Sequence, residues 1–276
     1  MGKTTTITRG GTYGLTAVAA ALFLLLCWLF GDGLLAGPIW NTASWIDSPL
    51  ITYLLLLAIV AAGVAQANRL PRDGLPLVYP PDVATRGQVD EPLFAKVLFG
   101  NVFASLIWLP LRFFAGRDWL SAGLHKVGVP GWTETGAALA GFWKSAIAVN
   151  EQGQGKISYD WYRNFLQFML DNGWQGWFAK LVVAGEILIG VGLIAGGLVG
   201  LAAFFGTLLN FNFGLAGTAS SNPVLFGLGV LLVLAWRTAG YWGLDRWLLP
   251  RLGTPWQGGP IYGEAFGATA TPTPER

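Results

Sequence analysis

Charged side chains are costly inside a bilayer, so those that stand within apolar stretches mark either pairing or function. Four do so in this sequence: Arg112, Lys180, Glu186 and Arg237. Lys180 lies near the start of its stretch, where the ammonium reaches the interface while the alkyl stem stays in the apolar layer. It reads as an anchor. Glu186 lies deeper in the same stretch. It either closes a buried salt bridge with Arg112 or Arg237, or takes up a proton or hydrogen-bonds the carbonyl or hydroxyl of a quinone. A buried pair by itself adds little stability, so both roles stay open. The segment RFFAGRDWLSAGLHKVGVPGW, residues 112–132, is expected to set Arg112, Arg117, Asp118, His125 and Lys126 around one outer mouth. Helical spacing puts Asp118 and His125 on one face. Arg112, Arg117 and Lys126, with His125, can hold a small anion by charge-assisted hydrogen bonds. The alternative is interfacial snorkelling with Asp118 in an ion pair. Glu186 and His125 are the candidate catalytic groups. Further on, Asn210 and Asn212 alternate with phenylalanine in NFNFGLAGT, just before glycines. That pattern predicts unwinding of the helix, with the asparagines capping its end or touching a ligand headgroup.

The same inventory excludes much. There is one cysteine, Cys27, in an apolar run. A disulfide within the chain, a dithiol and a cysteine-ligated iron–sulfur cluster are ruled out, and the thiol reads as structural. One histidine, His125, excludes a bis-histidine haem, and no metal site is expected. The run from Gly190 to Ala195 fits GxGxxA, but it follows an apolar helix rather than a strand, so a dinucleotide fold is not expected. Gly192, Gly196 and Gly200 instead suit close helix packing and a tight hairpin. The net charge is +2, without a lysine or arginine cluster, so no nucleic-acid partner is expected.

The elements that must position these residues are membrane helices. Of 276 residues 53% are hydrophobic and only 12% charged, against about 25% in an ordinary soluble domain. Mean hydropathy is +0.51. A soluble fold of this composition would expose too much apolar surface, so the partner is the lipid bilayer. A span needs ~20 apolar residues. Such stretches cover residues 10–31, 48–68, 93 to beyond 112, two helices within 177–215 folded back at Gly196-Gly197, and 222–241 interrupted by Arg237. The expected fold is all-α and integral to the membrane, with six transmembrane helices. Lys3 and Arg9, the basic residues between 69 and 96, and Arg246 and Arg251 put both termini on the cytoplasmic side. The first span has the look of a signal peptide, and we expect it to be kept as an anchor. A prokaryotic plasma membrane is the expected location.

The chain divides into a two-helix unit (1–69), a proline-rich connector (70–92), a four-helix unit (93–250) with an outer insert (115–176), and a Gly/Pro/Thr-rich tail (251–276). The prolines make the connector extended. Within the insert, residues 133–149 and 158–170 are amphipathic and aromatic, and are expected as helices lying at the interface or capping the bundle.

Five segments in a fixed order carry a resemblance. They are R-x4-R-D-W-L-x-x-G-x-x-K from Arg112 to Lys126, GEILIGVGLIAG from Gly185, NFNF-x-x-AGT from Asn210, NP at Asn222, and AGYWGLDRWLLP closing at Pro250. Over about residues 93–250 the chain resembles the DoxX/DoxD family of four-helix membrane proteins, with the first two spans outside the family unit. The resemblance implies a role in membrane electron transfer. In one member, a thiosulfate:quinone oxidoreductase subunit, thiosulfate becomes tetrathionate and quinone is reduced. Carried over by position, Arg112, Arg117 and Lys126 would bind the anion, and Glu186, Asn210 and Arg237 would line a quinone or proton site. Two readings follow: an accessory subunit of a respiratory or photosynthetic complex, docked to other membrane subunits, or the catalytic thiosulfate:quinone oxidoreductase itself. A transporter is disfavoured, since no inverted repeat is present.

Overall fold

A computed structural model describes residues 6–31, 34–41, 43–76 and 91–254. Most of the connector and tail, residues 77–90 and 255–276, lie outside the described residues. The elements are β1 (Thr6–Ile7), α1 (Arg9–Phe30), α2 (Pro49–Arg69), β2 (Leu75–Pro76), α3 (Leu93–Gly100), α4 (Ser105–Leu124), α5 (Pro130–Thr133), α6 (Ala137–Ile147), α7 (Asp160–Asp171), α8 (Gln175–Ala195), α9 (Val199–Leu215), α10 (Asn222–Leu234) and α11 (Asp245–Arg251). The protein is mostly helical, and β1 and β2 form one antiparallel pair that ties the start of α1 to the start of the connector.

Helices α1, α2 and α8 are long and apolar enough to cross a bilayer. A fourth crossing arises if α3 and the helix from Val102 to Leu124, bent by 65° at their junction, count as one span. The bend sits at Asn101, whose side-chain oxygen accepts from the Phe103 N–H at 2.9 Å and caps the new helix. The stretch expected to be one span is therefore sharply bent. Helices α9 and α10 are apolar but, at 17 and 13 residues, shorter than a standard span. The multi-pass membrane character holds, while the count of long spans is three or four.

Helix α4 is the centre of the bundle. It packs on α1, α2, α8 and α10, so almost every face of it is buried, including Trp108, Phe113, Phe114 and Trp119. Glycines let α8 come close to it: a methyl added at Gly123 would sit 2.7 Å from Ile187, and one at Gly190 would meet the Leu120 backbone. Helices α6 and α7 in the insert pack with the start of α8 around Trp143, Tyr162, Leu166 and Met169. Helix α6 falls within the first amphipathic stretch, and α7 matches the second to within one residue at its end. Tyr162 donates to the Asn212 carbonyl at 3.0 Å, and burial pushes its phenol up to about 12.

The α8–α9 turn forms at Gly196-Gly197, where the glycine pair predicts it. Gly196 has φ +68° and Leu198 has φ +49°. The turn is clamped against the segment before α11. Leu244 and Asp245 donate their N–H groups to the Ala195 and Gly196 carbonyls at 3.0 and 2.8 Å. The Asp245 carboxylate accepts from the N–H groups of Leu198 and Val199 at 2.5 and 3.0 Å, capping α9. Burial pushes that carboxyl above its ordinary range, and the two N–H groups and Arg112 hold it back. A Cβ at Gly196 would lie 2.3 Å from an Arg112 Nη. Gly196→Ala is expected to lower the Tm of the solubilised protein, with about 1–3 kcal/mol lost to backbone strain alone. Gly14→Ala, which meets nothing within 4 Å, is the control and should not lower it.

Candidate functional site

Lys126 lies two residues beyond the end of α4, and Glu186 sits at mid-length of α8, facing it. The close α4–α8 packing at Gly123 brings them together. The Lys126 ammonium donates to both Glu186 carboxylate oxygens, at 2.8 and 2.7 Å, and to the Ala122 carbonyl at 3.0 Å. Its three protons are thus committed. Glu186 is 2% exposed. Trp132 of α5 stands with its ring centroid 5.2 Å from the ammonium. The partner of Glu186 is therefore Lys126, and neither Arg112 nor Arg237.

This pair forms one wall of a cavity of about 280 Å³. Asp118 and Trp119 of α4, Phe142 of α6, Phe213 of α9, and Ser220 and Ser221 of the α9–α10 turn complete it. Ser221 donates to Asp118 at 3.2 Å. Ser220 holds φ +42°, a left-handed conformation unusual for a residue with a Cβ; such strain concentrates at functional sites. The cavity joins two chemistries: a fixed charge pair with two serines and a carboxylate, and four aromatic side chains. A second, larger space of about 730 Å³ lies between α6 and α7 on one side and α8 and α9 on the other. It is lined almost wholly by apolar side chains, among them Leu166, Leu188, Leu201 and Phe205, with Gly185 and Gly192 in its floor. Phe142 and Phe213 line both spaces, their rings in a T-shaped contact with centroids 6.1 Å apart.

The remaining expected site residues are not brought to this cavity. Arg112 and Lys126 do not share a mouth, because helical rise separates them by roughly 20 Å along the axis. Arg112 is 0% exposed and donates to the carbonyls of Leu193, Ala239, Ile194 and Trp242 at 2.9, 2.7, 3.1 and 3.3 Å. It is a clamp for the α8–α9 turn. Arg117, also buried, donates to the Ile46 and Ser48 carbonyls at 2.6 and 2.9 Å and to the Thr52 hydroxyl. It fastens the start of α2 to α4. Neither guanidinium faces a space in which an anion would meet Lys126, which corrects the expected three-cation pocket. His125 is 57% exposed at its side chain. Its ring nitrogens meet the Ser121 carbonyl at 2.9 Å and Asp47 at 3.6 Å, away from Glu186. His125 and Glu186, the two candidate catalytic groups, are not in contact. Arg237 lies beyond the far end of α10, 4.0 Å from Glu91, remote from Asn210 and Glu186. Lys180 is exposed, as an anchor would be.

Helix α9 does not unwind at the asparagines but runs through to Leu215, so neither caps its end. Asn212 bonds back to the Leu208 carbonyl at 2.8 Å. Asn210 is buried. Sequence reasoning placed Asp118 at the mouth but missed its partner Ser221, and it missed Trp119, Trp132, Phe142 and Phe213. Fourteen tryptophans and seventeen phenylalanines gave no way to single these out. The SSNP run that opens α10 was the one available signal. Among the described residues no group of three metal-ligating side chains gathers. No family model, curated protein or solved structure matches the chain.

Proposed function

We propose that the chain is a six-span, DoxX-like subunit of a quinone-linked electron-transfer complex in a prokaryotic plasma membrane, with both termini cytoplasmic, and that the Lys126–Glu186 cavity takes the headgroup of a quinone. One observation carries the reading: a small cavity with a buried charge pair and aromatic walls meets a large apolar slot across only two phenylalanine rings. A polar ring with a long apolar tail has that shape. The cavity residues fit such a ring. Trp119, Trp132, Phe142 and Phe213 offer faces for it, and the Ser220 and Ser221 hydroxyls and Glu186 offer hydrogen bonds to its oxygens. Bound quinone would supply two-electron redox chemistry. The protein's own groups would orient the ring, keep water out, and hold a proton at the Glu186 carboxylate.

The accessory role is favoured over the catalytic one. Thiosulfate oxidation needs an anion pocket, and Arg112 and Arg117, which the resemblance assigned to it, have their guanidinium groups committed to the backbone and to Thr52. With one cysteine and one histidine in the chain, electrons would reach or leave the quinone through a partner subunit.

The test is gentle detergent extraction from native membranes, subunit identification by mass spectrometry, and quinone measurement in the lipid extract of the particle. Stoichiometric redox subunits together with bound quinone are expected. A particle of this chain alone, without quinone, would overturn the proposal.

A further inference from the structure

Asn210 presents a physical problem. It is 2% exposed, and neither its Oδ1 nor its Nδ2 has a hydrogen-bond partner within the protein. Three nearby polar side chains bond elsewhere: Asn212 with Leu208, the Asn222 Nδ2 with the Thr218 carbonyl at 3.3 Å, and Thr207 with Ala203. A buried amide left unmatched is strongly unfavourable, and each such group in a folded protein calls for an explanation. The surroundings offer one. Asn210 lines a cavity of about 240 Å³ between α9 and α10, together with Phe211, Thr218, Asn222 and Phe226. Thr218 and Asn222 also line the Lys126–Glu186 cavity. The two spaces therefore adjoin. Gly206, one turn before Asn210, faces Ile189 and Trp119, so Asn210 comes to about the level of Glu186 in the bundle. No charged side chain lines this second space, so it suits a neutral group.

We propose that Asn210 is a specificity residue that favours the reduced, hydroxyl-bearing form of the ring over the oxidised, carbonyl-bearing form. The inference rests on the quinone reading above. It follows from the donor and acceptor inventory. A carboxamide offers one acceptor and two donors. A quinol hydroxyl can give its proton to Oδ1 and accept from Nδ2 with the same oxygen. A quinone carbonyl can only accept. It satisfies Nδ2, leaves Oδ1 without a donor, and sets two acceptor oxygens side by side. A site built to match a hydroxyl rejects the analogue that lacks the proton, because its own polar atom is then stranded. The amide atoms are closed off from the cavity in the present arrangement, so contact with the ring requires the side chain to turn.

The experiment uses the full chain in lipid nanodiscs. Binding of a short-tailed benzoquinone and of its two-electron-reduced quinol is measured anaerobically by equilibrium partition. Wild type is expected to bind the quinol at least tenfold more tightly, which corresponds to raising the potential of the bound couple by ~30 mV. Asn210→Leu keeps the shape and removes the amide. It is expected to bring the ratio close to one, with quinone affinity little changed, and to raise the Tm without ligand, since it removes an unmatched polar group. Asn210→Asp keeps an acceptor for the quinol hydroxyl and loses the Nδ2 donor, so it should weaken the quinone more than the quinol. Equal wild-type affinities overturn the selectivity and leave the quinone reading standing. So does a ratio that survives in Asn210→Leu, or a Tm that falls in that variant, which would mark a structural amide. Failure of wild type to bind either form overturns both proposals.

Discussion

Arg112→Leu is expected to abolish recovery of folded, monodisperse protein. The guanidinium is buried, and it is the shared donor for four carbonyls: Leu193 and Ile194 at the end of α8, and Ala239 and Trp242 in the turn that precedes α11. Leucine leaves them without a donor in a place water does not reach. Each stranded carbonyl costs about 1–3 kcal/mol. The losses are not additive, but a total on the order of 4 kcal/mol or more is a large share of a typical folding free energy of about 5–15 kcal/mol. Arg112→Lys, with a smaller head and three donors in place of five, should give an intermediate yield and a lower Tm. The assay is size-exclusion recovery and thermal stability in detergent. This outcome separates two roles. A residue that holds an anion would leave the apo protein intact when removed. Normal recovery of Arg112→Leu would therefore sink the clamp assignment and return Arg112 to the ligand.

Breaking the Lys126–Glu186 pair from one side is expected to be worse than removing it altogether. Lys126→Met leaves a carboxylate that is almost wholly buried with no counter-charge. Orphaning one member of a buried ion pair typically costs about 3–5 kcal/mol. Glu186→Gln keeps a hydrogen-bond acceptor for the ammonium, and Lys126 is itself 19% exposed, so the cost there should be smaller. The double variant Lys126→Met/Glu186→Leu fills the same volume with apolar atoms and should regain most of the wild-type Tm. The signature is a coupling of several kcal/mol between the two positions in a double-mutant cycle. In the same preparations the double variant should retain less than a tenth of the wild-type quinone. A double variant no more stable than Lys126→Met would show that the two charges do not act as a pair. A stable double variant with full quinone would show that the pair is architectural only.

Arg112 and Lys126 have different roles, although they belong to one motif-like segment. The reason is the geometry of a helix. From Arg112, α4 and the turn after it carry the chain toward the other end of the bundle, so charges that look clustered in sequence are spread along an axis. Arg112 meets the α8–α9 turn, Arg117 meets the start of α2, and of the three cations only Lys126 reaches the cavity. The charged segment therefore serves three separate tasks, two of them as fasteners between helices.

Much was legible in the sequence for simple reasons. Apolar runs near span length show through composition, because the bilayer demands them. Glycine pairs mark tight turns, since only glycine enters the left-handed region freely; Gly196 does so with φ +68°. The two insert helices followed from their amphipathic aromatic pattern. The importance of Glu186 was readable because a carboxylate deep in an apolar helix must have a partner. What the sequence left open was which partner. Helical phase says that Glu186 faces inward, but Lys126, Arg112 and Arg237 all lie within reach of some packing of these helices. Close approach at Gly123 and Gly190 selects Lys126, and that is a property of two helices together. The bend at Asn101, the central burial of α4, the adjoining cavities beside Phe142 and Phe213, and the unmatched Asn210 amide likewise exist only once distant segments pack. Local pattern reports what each segment can bury; which polar groups end up satisfied depends on neighbours far along the chain, and tertiary structure alone supplies them.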